Sequence, residues 1–433
     1  MGQRQHCYIK GPARIPDKQE AAVSDFQFIS FLGRWEGFEV WGVERREKGP
    51  LRPRPEVWIE LIGVAGAPLV CSGCGSLFDR AHDVEIRAVR DLPILDAETW
   101  LRVPRRRVDC PRCGPKVERL DWLAPYARVT RRLAESVARL CRDVPILQVA
   151  GYFHLDWKTV KRIDKESLKE RLGPVDLRGV TALLMDEFAI HKGHRYATTI
   201  VDPYTKRVLW VGRGHTRESL RPFFALLGPE GCRAIRAVVM DMSSAYEREV
   251  RAHCPQAEIV FDLFHVVAKY GREVIDRVRV DESNRLRHSR KARHVIKSSR
   301  WLLLRNKENV SRPKDRVRLR ELLDANKALL KAYVLKDDLK HLWDFHYPKA
   351  ARRFWDQWYA RAVRSRLRPL RQFALKLKPY LAGIIAHCRW RLHTSLLEGI
   401  NNTIKVIKRR AYGFRDEDYF FLKIRAAFPG IGR

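Results

Sequence analysis

The sequence predicts an α/β core interrupted by an all-helical insertion and preceded by a four-cysteine module and a helix-turn-helix. Three observations carry that expectation. Two apolar, β-branched runs, Val180 to Met185 and Ala234 to Met240, each give way to an acid, as buried strands do where they emerge at the end of a sheet. About 130 residues with helical periodicity and no strand pattern then separate the last strand from a basic helix that begins near Glu398. Upstream lie two C-x-x-C pairs, Cys71/Cys74 and Cys110/Cys113.

Residues 1–27 are polar and aperiodic and read as an N-terminal extension. From Phe28 to about residue 120 the pattern is that of a small β module: Phe38 to Val43 and Glu56 to Val64 read as strands around the proline-bearing Arg45 to Pro55. The cysteine pairs follow, 35 residues apart, with Gly114 just past the second. Paired C-x-x-C turns suit a structural Zn2+ held by Cys71, Cys74, Cys110 and Cys113, because four thiolates close the shell and leave no position for a substrate. Four reduced core thiols or a redox pair are the plainer alternatives; a redox motif would need one pair only. Arg87, Arg90, Arg102, Arg105, Arg106 and Arg107 make the module basic and able to touch a polyanion.

Residues 121–170 read as a helix-turn-helix. Ala127 to Cys141 is amphipathic, Pro145 opens a short helix, and Asp156 caps a third. In this reading Lys158, Thr159, Lys161 and Arg162 form the outer face of a recognition helix, while Trp157, Val160 and Ile163 turn inward. An ordinary three-helix packing unit is the alternative. Lys165 to Asp176 reads as a charged linker.

The core opens at residue 171. Its first strand, ending in Asp186 and Glu187, turns at Lys192-Gly193 into a second, Arg195 to Val201. Successive side chains on a strand point to opposite faces, so only one of the two acids can look into a given site. Val208 to Val211 continues the sheet, Arg217 to Leu227 is helical, and Ile235 to Met240 and Ile259 to Phe261 are parallel strands followed by Asp241 and Asp262. Three consecutive strands, a helix, then strand-helix-strand is the RNase H-like order, with the acids at strand ends.

Residues 276–390 form the helical insertion. Arg285 to Arg300 is strongly basic and reads as a nucleic-acid-facing or mobile segment, and Trp301, Trp343, Phe345, Tyr347, Phe354, Trp355, Trp358 and Tyr359 supply an aromatic core. One or two of these aromatic residues could stack on an unpaired base. Residues 391–433 return to the core. Spacings of four, three and four place Glu398, Asn402, Lys405 and Arg409 on one helix face. A carboxylate beside a row of cations suits metal-assisted chemistry on a phosphodiester.

Charge supports such a partner. With 85 Lys and Arg against 51 Asp and Glu, the net charge is +34 and the pI about 10.2, a surplus that points to nucleic acid. No apolar run is long enough for a membrane span and no secretory signal pattern is present, so a cytoplasmic, nucleoid-associated protein is expected.

The stretches MDEFAIHKGHRYAT, VVMDMSSAYEREV, IVFDLFHVVAKY and LLEGINNTIKVIKRRAYGFRD resemble those of the ISL-three-type insertion-sequence transposases, a bacterial branch of the DDE superfamily with an RNase H-like catalytic core. The similarity runs from about Phe28 to the C-terminus. It implies that Asp186, Asp241 and Glu398 are catalytic and hold Mg2+ (or Mn2+), with Asp262 matching a further family acid. It also implies that Lys405, Lys408, Arg409 and Arg410 grip a DNA strand. The partners implied are the element's terminal inverted repeats and target DNA, bound by a homodimer or larger assembly. A DNA-binding regulator or domesticated transposase without catalysis, and a nuclease that cuts without joining, are the rival expectations.

Overall fold

The computed structural model describes residues 35–50, 54–191, 193, 195–305, 309–392 and 395–431. These divide into two compact units that meet in sequence between Ser167 and Leu168. The N-terminal extension, Lys192 of the hairpin turn and His393-Thr394 lie outside the described residues.

In the first unit β1 (Phe38–Arg46) pairs antiparallel with β2 (Glu56–Gly63). A two-stranded hairpin, β3 (Leu69–Val70) and β4 (Leu77–Phe78), precedes two long strands, β5 (Asp83–Ile94) and β6 (Ala97–Cys110), and the short β7 (Gly114–Val117). The main sheet has the order β1-β2-β6-β5, with β7 also on β6. Ala97, Thr99, Leu101, Val103 and Arg105 alternate into its core, the period of two that a half-buried strand requires.

The arginines expected to make this module basic turn out to be largely engaged by the module itself. Arg90 is buried, ion-paired to Glu98 at 2.9 Å, with its guanidinium over the Trp100 ring. Arg105 is also buried, Arg106 pairs with Glu118 at 2.6 Å, and Arg107 with Asp83 at 2.8 Å.

Three helices follow: α1 (Arg131–Leu140), α2 (Ile146–Phe153) and α3 (Trp157–Leu172). Thr130 caps α1 and donates its hydroxyl to the buried Asp91 of β5, which also accepts from Trp35 and Arg132. His154 turns the chain between α2 and α3 with a φ of 52°, and the Asp156 carboxylate accepts from the Lys158 amide. Val160 and Ile163 pack inward with Leu133, Val137, Val149 and Phe153. Two expectations need correction. Trp157 is 48% exposed, with the Lys158 ammonium above its ring, because the turn at His154 sets the first residue of α3 outside the three-helix core. Lys165 to Leu172 is the rest of α3 and not a linker, since its charges decorate a helix whose Leu168 is buried.

The second unit is built on β8 (Ala182–His191), β9 (Arg195–Val201), β10 (Val208–Arg213), β11 (Ala237–Met240) and β12 (Glu258–Phe261), in the order β10-β9-β8-β11-β12. The first three strands are antiparallel; β8, β11 and β12 are parallel. Helix α4 (Arg217–Ala234) continues past the expected end at Leu227, with a kink at Gly228, whose φ is 71°. It is followed by α5 (Ser244–His253) and α6 (Leu263–Tyr270). The first strand does not end at Asp186 as its apolar run suggested: pairing with β9 carries it to His191.

After a π-helical turn, Gly271–Ile275, the insertion comprises α7 (Asp276–Arg285), α8 (Arg290–Ser298), α9 (Arg300–Leu304), α10 (Pro313–Ala325), α11 (Lys327–His341), α12 (Pro348–Val363), α13 (Arg368–Leu377) and α14 (Leu381–Ile385). Trp355 and Trp358 fill its core, whereas Trp301 and Tyr347 are exposed. The basic stretch folds as α8, mostly exposed and anchored by Ile296. One face of the sheet, through Leu183, Met185, Val238, Met240, Ile259 and Phe261, shares a continuous core with the insertion. Two last helices, α15 (Ser395–Arg410) and α16 (Glu417–Ala427), complete the unit. Phe188 of β8 meets Phe420 of α16 edge-on, so this pair of helices attaches to the face of the sheet opposite the insertion core.

Candidate active site and metal centres

Strand register assembles the acids. Leu184 lies opposite Val239, and Val239 opposite Val260. Two residues beyond each of these positions stand Asp186, Asp241 and Asp262, so a period of two carries all three to one level and one face. The ladder between β8 and β11 stops at Leu184 and Val239, which leaves Asp186 at the open carboxyl end of the parallel strands. Ligand sites of open α/β sheets lie in that position. Asp186 is buried and Glu187 exposed, and the Glu187 carboxylate instead meets His215 Nδ1 at 2.7 Å.

The row is held by short polar contacts. Asp186 Oδ1 accepts from the Glu187 amide at 2.8 Å, and its Oδ2 accepts from Asn401 Nδ2 of α15 at 2.6 Å. Asp262 caps α6 by accepting from the Phe264 amide, and its other oxygen lies 3.0 Å from His265 Nδ1. Burial pushes the Asp186 and Asp241 carboxyls above their ordinary range, with the neighbouring His265 pulling the other way. The hydrogen bond to Asp262 in turn raises His265.

Glu398 lies one turn before Asn401 on α15, and its side chain is exposed. Among the described residues, the cysteine quartet is the group of His, Cys, Asp and Glu whose ligand atoms all lie within 4.8 Å of one another; the three acids 186, 241 and 398 do not form such a group. Asn401 was not singled out by sequence reasoning, although it sits beside the buried stripe Leu397, Ile400 and Ile404 that faces the sheet. The donor set fits a hard divalent cation. Among the described residues, Asp241 Oδ1 and Asn401 Oδ1 are both buried without a hydrogen-bond partner, and buried polar oxygens are rarely left so unless something else satisfies them.

Of the cations expected to hold DNA, Lys405 is exposed and bonds Asn402, Lys408 reaches the Ala189 carbonyl of β8, and Arg409 and Arg410 are exposed. On α3, Lys158 and Arg162 are exposed, with Arg162 paired to Glu166 at 3.2 Å, while Thr159 and Lys161 are half-buried. A cavity of about 440 Å³ opens beside Asp262, walled by Val239, Val260, Trp343, Phe345 and Trp390.

The cysteine quartet has the geometry of a four-thiolate centre. Cys71 follows β3, Cys110 ends β6, and each knuckle closes on a left-handed glycine, Gly75 at φ 79° and Gly114 at φ 69°. Cys74 Sγ and Cys110 Sγ are 3.5 Å apart, near the ~3.8 Å edge of a tetrahedron with Zn–S bonds of about 2.3 Å. A Cβ on Gly73 would come within 2.8 Å of Cys113 Sγ, so the turn needs glycine to wrap this closely. Hydrogen bonds from Ser76 bring the Cys74 thiol down to about 6, while bonding with Cys74 and burial push Cys113 up to about 12. The cluster is consistent with a structural zinc site.

Four cysteines closed on one another, a helix-turn-helix, and an RNase H-like sheet whose acids share one level define a nucleic-acid-processing protein of the DDE transposase class. Comparison with known proteins agrees. A family model described as a transposase, of ISL3 type, matches residues 183–424. The helix-turn-helix domain of transposase family ISL3 matches 118–167, and the zinc-finger of transposases IS204/IS1001/IS1096/IS1165 matches 67–113. The chain is 53% identical over 94% of its length to the full-length transposase for insertion sequence element IS1001 of Bordetella parapertussis. It is 27% identical to the transposase for insertion sequence element IS1557 of Mycobacterium tuberculosis, over 80% of this chain and 82% of that one. The chain belongs to the ISL3 family of transposases. Among the described residues no helix is long and apolar enough to cross a membrane.

Proposed function

We propose that the chain binds the terminal inverted repeats of its insertion sequence, cuts the element's end in a metal-dependent step, and joins the freed 3′ end to target DNA. The observation that carries this reading is the row of Asp186, Asp241 and Asp262 set by strand register, met by α15 through the Asn401–Asp186 hydrogen bond.

Asp186, Asp241 and Glu398 would hold Mg2+ or Mn2+; when bound, such ions polarise the scissile phosphate and stabilise the entering and leaving oxygens. The protein's own groups bind and orient the DNA. Lys158, Thr159, Lys161 and Arg162 on α3 read or track a duplex groove. Lys405, Lys408, Arg409 and Arg410 follow the strand toward the acids. Trp343 and Phe345 line the cavity beside Asp262, and an unpaired base entering there would meet their rings. Zinc on the cysteine quartet is structural, and two or more copies act together when two element ends are paired.

The test uses the purified chain, a labelled duplex carrying the element's end, and Mg2+. The expected result is a cut at the border of the repeat, followed by joining to a second duplex. Asp186→Asn should keep its affinity for the repeat and lose cutting to the level seen without metal. Cutting by that variant overturns the assignment. Binding without cutting by the parent chain would support the regulator reading, and cutting without joining a nuclease.

A further inference from the structure

We infer that Asn401 supplies an oxygen ligand to the divalent-metal site through its side-chain carbonyl, while its amide nitrogen clamps Asp186; this rests on the metal-site reading proposed above. The amide orientation follows from charge. Asn401 Nδ2 lies 2.6 Å from Asp186 Oδ2, and an amide carbonyl at that distance from a carboxylate oxygen would be repelled, so the NH2 group faces the acid. Oδ1 is thereby directed elsewhere.

Among the described residues nothing answers it: Asn401 Oδ1 is buried without a hydrogen-bond partner there, as is Asp241 Oδ1. Leaving two acceptors of one site buried and unsatisfied is costly. Carboxylate oxygens and an asparagine carbonyl are the donors that hard cations take. A bridging contact across 215 residues also makes Asn401 the joint between β8 and α15, so its amide fixes the helix that carries Glu398 as well as the acid it touches. Outer hydrogen bonds of this kind orient ligands; the unanswered carbonyl gives Asn401 a second role.

The measurement is Mn2+ affinity of the full chain without DNA, followed by electron paramagnetic resonance, for the parent and for Asn401→Ala and Asn401→Asp. Loss of the carbonyl in Asn401→Ala should weaken Mn2+ binding by about 10–100-fold. Asn401→Asp should bind at least as tightly as the parent, because a carboxylate replaces the ligand oxygen. A merely structural clamp predicts that Asn401→Asp falls with Asn401→Ala, since both lose the donor to Asp186, and that outcome overturns the inference. The unsubstituted chain carrying 13C-labelled asparagine covers the case of misfolded variants: a directly coordinated carbonyl gives Mn2+ a resolved 13C coupling, and its absence contradicts the assignment. Asp186→Asn and Asp241→Asn are the controls. If they leave Mn2+ binding unchanged, the metal site itself fails; if they abolish it while Asn401→Ala does not, only the role of Asn401 fails.

Discussion

Asp91 and Asp186 are both buried carboxylates, yet they do opposite work. Asp91 is saturated by Trp35, Thr130, Arg132 and the Leu92 amide, which ties β5 to the first helix of the helix-turn-helix. Its replacement in Asp91→Ala should lower the stability of the first unit by roughly 2–4 kcal/mol, measured by urea unfolding, without altering metal binding by the second unit. Around Asp186, Asp241 Oδ1 and Asn401 Oδ1 are instead left unanswered among the described residues. The sequence made Asp186 and Asp241 legible because each follows an apolar run, but it favoured the helix face of Glu398, Asn402, Lys405 and Arg409. The residue that touches Asp186 is Asn401, next to the apolar stripe of α15. Periodicity separates the faces of a helix; which polar residue at the edge of the buried face meets a partner depends on the packing of a strand more than 200 residues away.

At the scale of elements, the succession of strands and helices along the RNase H-like core was readable from apolar run lengths and turn residues, whereas their side-by-side order in the sheet came with the structure. The long β5–β6 pair was not. Its inward positions include Arg90, Thr99 and Arg105, and polar or charged residues at buried positions, such as Arg90 ion-paired to Glu98, disguise the alternation that marks a strand. Likewise, α3 reads as a linker after Lys165 because a charged helix and a charged linker have the same composition. The α4–α5 pair offers a test through pH. Glu249 is buried on α5; burial opposes its ionisation, yet hydrogen bonds from Arg217, His253 and Arg221 hold its carboxyl below the ordinary 4.5. A depressed folded value means that the stabilisation is present above pH 4.5 and is lost as pH falls through the folded value. Glu249→Gln should therefore be less stable than the parent at pH 7, by roughly 1–3 kcal/mol. The gap should narrow below pH 4, as read from thermal or urea unfolding across that range.

For the molecule as a whole, a charge of +34 and three family modules in one order describe a protein built to hold DNA, and the acid row is where we propose the chemistry. Composition alone carried the partner class and the cysteine spacing the thiolate centre, because both depend on residue type and local spacing. The level of the three aspartates became visible only with strand register. The most direct measurement is a change of metal preference in strand cutting by Asp241→Cys. A thiolate in place of the carboxylate should abolish cutting of a labelled element end in Mg2+ and restore it in Mn2+ or Cd2+, because the softer ligand takes the softer ion. Cutting in Mg2+ at the parent's rate, or no recovery in any metal by a folded, DNA-binding variant, would contradict Asp241 as a metal ligand.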